Sequence, residues 1–174
     1  DVCYHVMTAG TEEILERCQA GKDDIGFVYV LDEQMPSFQY RLECAGLIFQ
    51  ELKRTKAYLY FGKDHPLAGK SGIEEIALDE VRLVQCYEDE YTLGRRMTEE
   101  TDRISPTDRM KISVITNSDY VMNELLGKTD LGNVSGGYLS REKESRGYPG
   151  YSLYGEKEPI LFGCVSRQGE TLDG

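Results

Sequence analysis

The chain has 174 residues, 40% of them hydrophobic, so it can bury a sizeable core as one domain or as two small lobes. Its formal net charge of −11 disfavours direct binding to nucleic acid phosphates. No apolar run approaches the length that crosses a bilayer, so neither a membrane span nor a membrane partner is predicted.

The first half of the chain alternates between strand and helix patterns. Residues 2–7 (VCYHVM) alternate like a strand, and TEEILERCQAG predicts a helix with Thr11 as its N-cap and Gly21 at its end. The run DIGFVYV is typical of a strand that is covered on both faces. The stretch FQYRLECAGLIFQEL is interpreted as one long strand or two abutting strands, and KAYLYFG predicts another strand.

The second half continues the same alternation. It predicts a short helix at GIEEIALDEV and longer helices at YTLGRRMTEETDR and NSDYVMNELLGK. Strands are predicted at RLVQCY, KISVIT, DLGNVSGG and EPILFGCVSR, and the polar stretch REKESRGYPG (141–150) is predicted to be a linker. Strands that are separated by single helices imply parallel sheets with helical crossovers.

The residues that could carry chemistry give little support for catalysis. No nucleophile elbow, P-loop, dinucleotide fingerprint or metal-ligand spacing is present, so we predict no catalytic residue, no metal and no cofactor, and we do not expect an enzyme. The five cysteines are widely spaced and form no CxxC pair, which indicates buried free thiols in a reducing cytoplasm. They are Cys3, Cys18, Cys44, Cys86 and Cys164.

One of the two histidines, His65, lies in the turn DHPLAGK directly after the strand KAYLYFG. It could act as a general base, or it could be part of the turn. Pro66 favours an extended conformation before it, and the neighbouring sequence offers no acid–base partner and no metal-ligand pattern. We therefore interpret His65 as structural.

Four stretches carry a family resemblance when they are taken in order. They are GTEEILERCQAGKDDIGFVYV, DHPLAGKSGIEEIALDEV, VITNSDYVMNELLGKTDLGNVSG and EPILFGCVSRQGETL. In this order they resemble the effector-binding domain of LysR-type transcriptional regulators, and the second resembles the His-Pro-Leu-Ala turn of that domain. The resemblance covers nearly the whole chain, although VSGGYL departs from the pattern that the family often has after its glycine motif.

The resemblance implies a two-lobed α/β fold like that of type 2 periplasmic binding proteins, with mixed, mostly parallel sheets and flanking helices. Residues 1–54 and 150–174 would form lobe I, and residues 55–149 would form lobe II, with a small-molecule effector between them. The family's leading strand–helix unit, its closing helix and its helix-turn-helix have no counterpart here. The resemblance therefore implies an excised effector domain, and DNA would be contacted only through an N-terminal domain that this chain lacks.

Open parallel sheets bind ligands beyond the carboxyl ends of their strands, where helix N-termini present free N–H groups. Thr11, Asn117 and Ser118 lie at predicted helix starts, and the resemblance implies an effector contact for the Thr11 hydroxyl. A plain capping role fits each of these three residues equally well. Tyr87 ends the predicted strand RLVQCY and Glu88 follows it, where they would either face the cleft or form a solvated loop.

The residues Glu88, Asp89 and Glu90 form an acidic cluster at this predicted cleft. Many effectors of the family are carboxylates, which such a cluster would repel. Either these side chains point away from the cleft, or the effector is cationic or uncharged.

The resemblance implies the cytoplasmic effector sensor of a bacterial LysR-type regulator, which assembles as a homodimer or a higher homo-oligomer. VCYHVM and SDYVMNELLG would lie near the subunit contact, and the apolar residues of the second stretch cover more of the helix than one core face needs. The alternative is a solute-binding protein of a transport system. That function would require a secretory signal and an oxidising compartment, which the N-terminus and the cysteines do not suggest.

Overall fold

The computed structural model describes residues 3–85, 109–137 and 140–169. The helices of this part of the chain are α1 (Thr11–Gln19), α2 (Met35–Ala45), α3 (Asp119–Lys128) and α4 (Ser140–Ser145). Its strands are β1 (Gly26–Leu31), β2 (Leu47–Thr55), β3 (Ala57–Phe61), β4 (Arg82–Gln85), β5 (Lys111–Ile115), β6 (Leu131–Gly136), β7 (Gly150–Ser152) and β8 (Ile160–Arg167).

The first sheet has the order β1-β8-β2, and both outer strands run antiparallel to β8. Strands β1 and β2 are thus parallel to each other and joined by α2, but β8 is inserted between them. The predicted crossover is present, whereas the predicted parallel pairing is wrong for this sheet because β8 comes from the opposite end of the chain. Helices α1 and α2 pack on the sheet around a core of Leu15, Cys18, Val28, Val30, Phe38, Leu42, Leu47 and Val165.

Helix α2 contradicts the prediction of a strand over FQYRLECAGLIFQEL. Phe38 and Leu42 are four residues apart and both buried, so they form one helical stripe over the sheet. Pro36 fits the first turn of the helix, and Gly46 ends it in the left-handed conformation, with φ at 67°. Only the second part of the stretch, from Leu47 onward, is a strand.

The second sheet has the order β5-β4-β6-β3-β7. Strands β5, β4 and β6 are parallel, and β3 runs antiparallel to both β6 and β7. The sheets are mixed, as predicted, although antiparallel pairs outnumber parallel pairs among the described strands. The main core of this sheet comprises Ala57, Leu59, Phe61, Ile76, Leu78, Val81, Leu83, Met110, Val134, Tyr151 and Leu153.

Within the described residues, the chain passes between the two sheets at two adjacent places. The first crossing joins β2 to β3 at Lys56, and the second joins β7 to β8. The Leu153 amide donates to the Ala57 carbonyl at 3.0 Å, which holds the two crossings side by side. Leu31 and Ile160 of the first sheet belong to the same buried cluster as Ala57. Backbone hydrogen bonds and apolar packing therefore connect the sheets at the crossings.

Several other predicted elements are corrected. Residues 3–7 of VCYHVM have no regular structure, and GIEEIALDEV forms two short 3-10 turns because Ile76 between them is extended. The predicted linker at 141–150 is wrong, because it contains most of α4, with Lys143 buried, and begins β7. Phe27 is 53% exposed, so β1 is not covered on both faces. The predicted helix YTLGRRMTEETDR lies outside the described residues.

Candidate functional site

The parallel strands of the five-stranded sheet end beside the N-terminus of α3. Ser118 caps this helix: its Oγ accepts a hydrogen bond from the Val121 amide at 3.3 Å. The Thr116 hydroxyl accepts from the Ser118 amide at 3.1 Å, which fixes the approach to the helix. Asn117 lies between them and is exposed. The capping role of Ser118 is thus observed, and the effector contact of Asn117 and Ser118 stays a prediction.

Thr11 is the first residue of α1 and is buried, with 5% of its surface exposed. The N-cap position belongs to Gly10, so the prediction of Thr11 as N-cap is wrong by one residue. Gly10 is the N-cap because it has extended dihedral angles (φ −70°, ψ 160°), whereas Thr11 is already helical. The predicted effector contact of Thr11 stays a prediction.

Asn117 and Ser118 are neighbours in the sequence and lie at the start of α3. Thr11 lies on α1, which packs on the other sheet. Tyr87 and Glu88, like Asp89 and Glu90, lie outside the described residues. Their predicted place at the cleft therefore stays a prediction.

Sequence reasoning did not find a cavity of about 340 Å³ beside the crossing between β2 and β3. The rings of Tyr58 and Tyr60 lie 5.8 Å apart on the face of β3 that contributes to the lining. Burial raises the pKa of the Tyr60 phenol to about 12, so this group is neutral at physiological pH. In the strand AYLYF, alternate side chains point to opposite faces, so Leu59 lies in the core and the two tyrosines lie on the other face. This alternation is the sequence signal that could indicate the tyrosine face.

Side-chain hydrogen bonds join β4 to β6 and attach the segment that carries Tyr148, a residue of the cavity lining, to α3. The Gln85 side chain accepts from the Val134 amide at 2.9 Å and from the Asn133 side chain at 2.8 Å. Nearby, the Lys143 ammonium donates to Asn123 Oδ1 at 2.9 Å, and the Tyr148 hydroxyl donates to the Asn123 carbonyl at 3.1 Å. The last two bonds attach α4 and the segment after it to α3.

His65 has a structural environment. Its ring stacks on Phe61 with 4.2 Å between centroids, and its Nδ1 accepts from the Leu67 amide at 3.0 Å. Its Nε2 lies 3.2 Å from the Asp130 carbonyl, to which it can donate. Backbone groups therefore engage both ring nitrogens, which agrees with the structural interpretation of the DHPLAGK turn.

The cysteines agree only in part with the prediction of buried free thiols. Cys18 and Cys164 are buried and free, whereas Cys3 and Cys44 are free but exposed. Cys86 lies outside the described residues. Burial raises the pKa of the Cys18 thiol, which disfavours the reactive thiolate.

Within the described part of the chain, no three His, Cys, Asp or Glu residues form a group that could hold a metal ion. No helix found there is both long and apolar enough to cross a membrane.

No protein-family model matches the chain, and no curated protein matches its sequence. Solved structures do match its fold. The C-terminal domain of a protein described as a probable LysR-family transcriptional regulator, from a Rhodococcus species, superposes with a TM-score of 0.62 at 16% identity, over 95% of this chain and 76% of that one. The effector-binding domain of QuiR in complex with shikimate gives 0.58 at 13% identity, over 95% and 72%. Full-length CbnR with its target DNA gives 0.56 at 13% identity, over 92% and 51%.

The chain has the fold of a LysR-type effector-binding domain. The predicted two-lobed, periplasmic-binding-protein-like α/β fold is thus confirmed. The chain spans about half the length of CbnR and about three quarters of the LysR-type domain from Rhodococcus. The assignment of residues 1–54 and 150–174 to lobe I, and of 55–149 to lobe II, stays a prediction. Strand β7 at Gly150–Ser152 hydrogen-bonds within the five-stranded sheet, close to one of these boundaries.

Proposed function

We propose that the chain is the effector-sensing domain of a transcription regulator and has no chemistry of its own. The observation that carries this proposal is the fold, which it shares over 95% of its length with a domain that was solved with a bound small molecule. A ligand that contacts both sheets would favour one arrangement of the sheets over another. The crossings at Lys56 and between β7 and β8 are the places where such a change would be absorbed.

The proposal includes a cytoplasmic location and DNA contact through a separate domain. CbnR, which has this fold, was solved at full length with its target DNA, and the present chain matches only about half of it. The net charge of −11 makes the effector domain a poor partner for phosphates. The buried free thiols of Cys18 and Cys164 favour a reducing compartment over the oxidising one of an exported solute-binding protein.

Thermal shift with shikimate and a panel of small metabolites tests the sensing function. A ligand at a hundred times its dissociation constant should stabilise the fold by about 2.7 kcal/mol.

We predict that Ser118→Ala and Thr11→Ala each weaken binding by roughly 0.5–1.5 kcal/mol, because each removes one hydroxyl partner. Ser118→Ala should also lower stability by about 1 kcal/mol, because the cap bond to Val121 is lost.

The exposed Ser37 of α2 provides a matched control, and Ser37→Ala should change neither quantity. Lowered stability with unchanged affinity would leave Ser118 with the capping role alone. If no metabolite of the panel stabilises the chain, the sensing function itself is contradicted.

We also propose a two-fold homodimer that uses the outer side of α3. Tyr120 and Val121 are 71% and 42% exposed on this helix, while Met122 and Leu126 face the core. We predict that Val121→Asp shifts the chain toward monomer, because a charge would be desolvated at the contact. Sedimentation over a concentration series measures this shift. Ile48→Asp, at a residue of similar exposure on β2, is the control. A dimer that survives Val121→Asp would contradict this interface.

A further inference from the structure

The cavity beside the β2–β3 crossing has walls from both sheets. Lys53, Arg54 and Thr55 of β2 line one side. Strand β3, the residue after β6 and the segment from α4 to β7 supply most of the remaining lining: Tyr58, Tyr60, Gly137, Glu144, Tyr148 and Gly150. Its volume of about 340 Å³ falls within the range of small-molecule sites. A ligand in this cavity would contact both sheets at the place where the chain passes between them.

Two glycines allow the aromatic wall of the cavity to pack closely. A Cβ at Gly150 would come within 2.6 Å of the Tyr60 ring. A Cβ at Gly137 would lie 2.8 Å from Thr55 Oγ1 and 3.1 Å from the Tyr58 ring. The distances of 2.6 Å and 2.8 Å are shorter than real Cβ contacts allow, so a side chain at either position would displace atoms of the wall. The tyrosine surface of the cavity therefore depends on backbone that carries no side chain.

The charges of the lining have both signs. Arg54 forms ion pairs with Asp32 at 2.9 Å and with Glu51 at 3.0 Å. Lys56 forms an ion pair with Glu156 at 2.7 Å. Among the described residues, no ion pair involves the remaining three charges of the lining, which are Lys53, Glu144 and Glu158. Lys53 lies on β2, whereas Glu144 lies on α4, whose Lys143 is hydrogen-bonded to α3 and lies 5.9 Å from the Tyr60 ring of the other sheet.

A ligand with a single charge fits this lining poorly. An anion close to Lys53 would also be repelled by the carboxylates of Glu144 and Glu158. A cation close to these carboxylates would be repelled by the ammonium of Lys53. A molecule that carries both an ammonium and a carboxylate can satisfy both sides. Its ammonium would also lie close to Tyr58 and Tyr148, which belong to the lining, and aromatic rings attract cations.

We propose that this cavity binds a small zwitterion of the amino-acid class, with its carboxylate toward Lys53 and its ammonium toward Glu144 over the tyrosine wall. The assignment rests on the proposed sensing function, because it names the class of effector that would bias the arrangement of the sheets. The residues of this cavity differ from the effector contacts predicted from the sequence, so the two assignments can be tested separately.

Titration calorimetry of the purified chain with each of the twenty L-amino acids, one at a time, tests the ligand class. At least one amino acid should bind. Its analogue without the amino group and its analogue without the carboxyl group should each bind at least about tenfold more weakly, because each loses one charged contact. Failure of all twenty amino acids to bind would overturn the proposal. So would equal binding of the zwitterion and its two analogues.

Substitutions locate the site. Lys53→Gln and Glu144→Gln should each weaken binding of that amino acid about tenfold or more. Both positions are exposed, so neither variant should unfold the chain. Lys22→Gln and Glu43→Gln change the same residue types at exposed positions on or beside α1 and α2, and both should leave binding unchanged.

The outcomes separate this site from the proposed function. Binding that is insensitive to Lys53→Gln and Glu144→Gln but weakened by Ser118→Ala would overturn the cavity assignment and leave the sensing function standing. Binding that both cavity variants weaken, without a ligand-induced change in small-angle scattering, would support the site and contradict the sensing role.

Discussion

Replacing Phe61 with Ala is expected to lower the free energy of unfolding by about 3–5 kcal/mol. Phe61 is fully buried at the end of β3, within the main core of the five-stranded sheet. Its ring stacks on His65 and lies 6.0 Å from the ring of Tyr151. Truncation would leave a cavity that rigid strands cannot close, and the DHPLAGK turn would lose its aromatic support. Urea unfolding measures the effect as a lower midpoint at an unchanged slope.

Phe27→Ala is the matched control for this substitution. Phe27 is 53% exposed on β1, and its ring lies 5.9 Å from that of Phe162. Its loss should cost less than about 1.5 kcal/mol, because much of the ring is already in water. Equal losses for the two variants would contradict the assignment of Phe61 to the core of the second sheet.

The elements that the sequence predicts correctly are those whose signals are local. Helix α3 begins after a serine that can cap it and alternates buried Met122 and Leu126 with exposed Tyr120, so its pattern has a helical period. Strand β8 is predicted by its apolar run, and α1 is followed by Gly21, the residue that is predicted to end it and that has φ at 67°. These signals lie within about ten residues and need no tertiary information.

Helix α2 shows where local signals become ambiguous. Phe and Tyr are enriched in strands, whereas Gln, Arg, Leu, Glu and Ala favour helices, so FQYRLECA is ambiguous by residue type. The decisive facts are the contact of Phe38 with Phe49 at 5.5 Å and the left-handed Gly46. The first depends on the docking of α2 onto β2, which single-residue propensities do not contain.

The place of β8 and the cavity could not be predicted for a related reason. Strand β8 separates β1 from β2, although more than 100 residues lie between β2 and β8. The cavity similarly joins Lys53, Gly137 and Gly150, which only the assembled sheets bring together. Local sequence can therefore indicate the caps and strand ends of a site, whereas the shape of the site depends on long-range pairing.

Gly62→Ala is expected to lower the free energy of unfolding by about 2–3 kcal/mol, which is the upper part of the range for overpacked sites. Gly62 follows β3 and lies against the last turn of α3. A Cβ at this position would collide with the Leu126 carbonyl oxygen and lie 3.3 Å from Gly127 Cα. These atoms belong to the backbone of a helix whose Leu126 side chain is fully buried, so the collision cannot be relieved by a change of rotamer. The helix and β3 would have to separate, and urea unfolding would report the cost.

Gly69→Ala is the matched control, because a Cβ at Gly69 meets nothing within 4 Å and Gly69 is not among the residues with positive φ. We expect its stability to lie within about 0.5 kcal/mol of wild type, or slightly above it because the unfolded chain loses freedom. The same substitution, seven residues apart, thus separates steric collision from the general effect of replacing a glycine. If the two variants unfold at the same urea concentration, the close packing of Gly62 against α3 is contradicted, and with it the seating of the Ser118-capped helix on the end of β3.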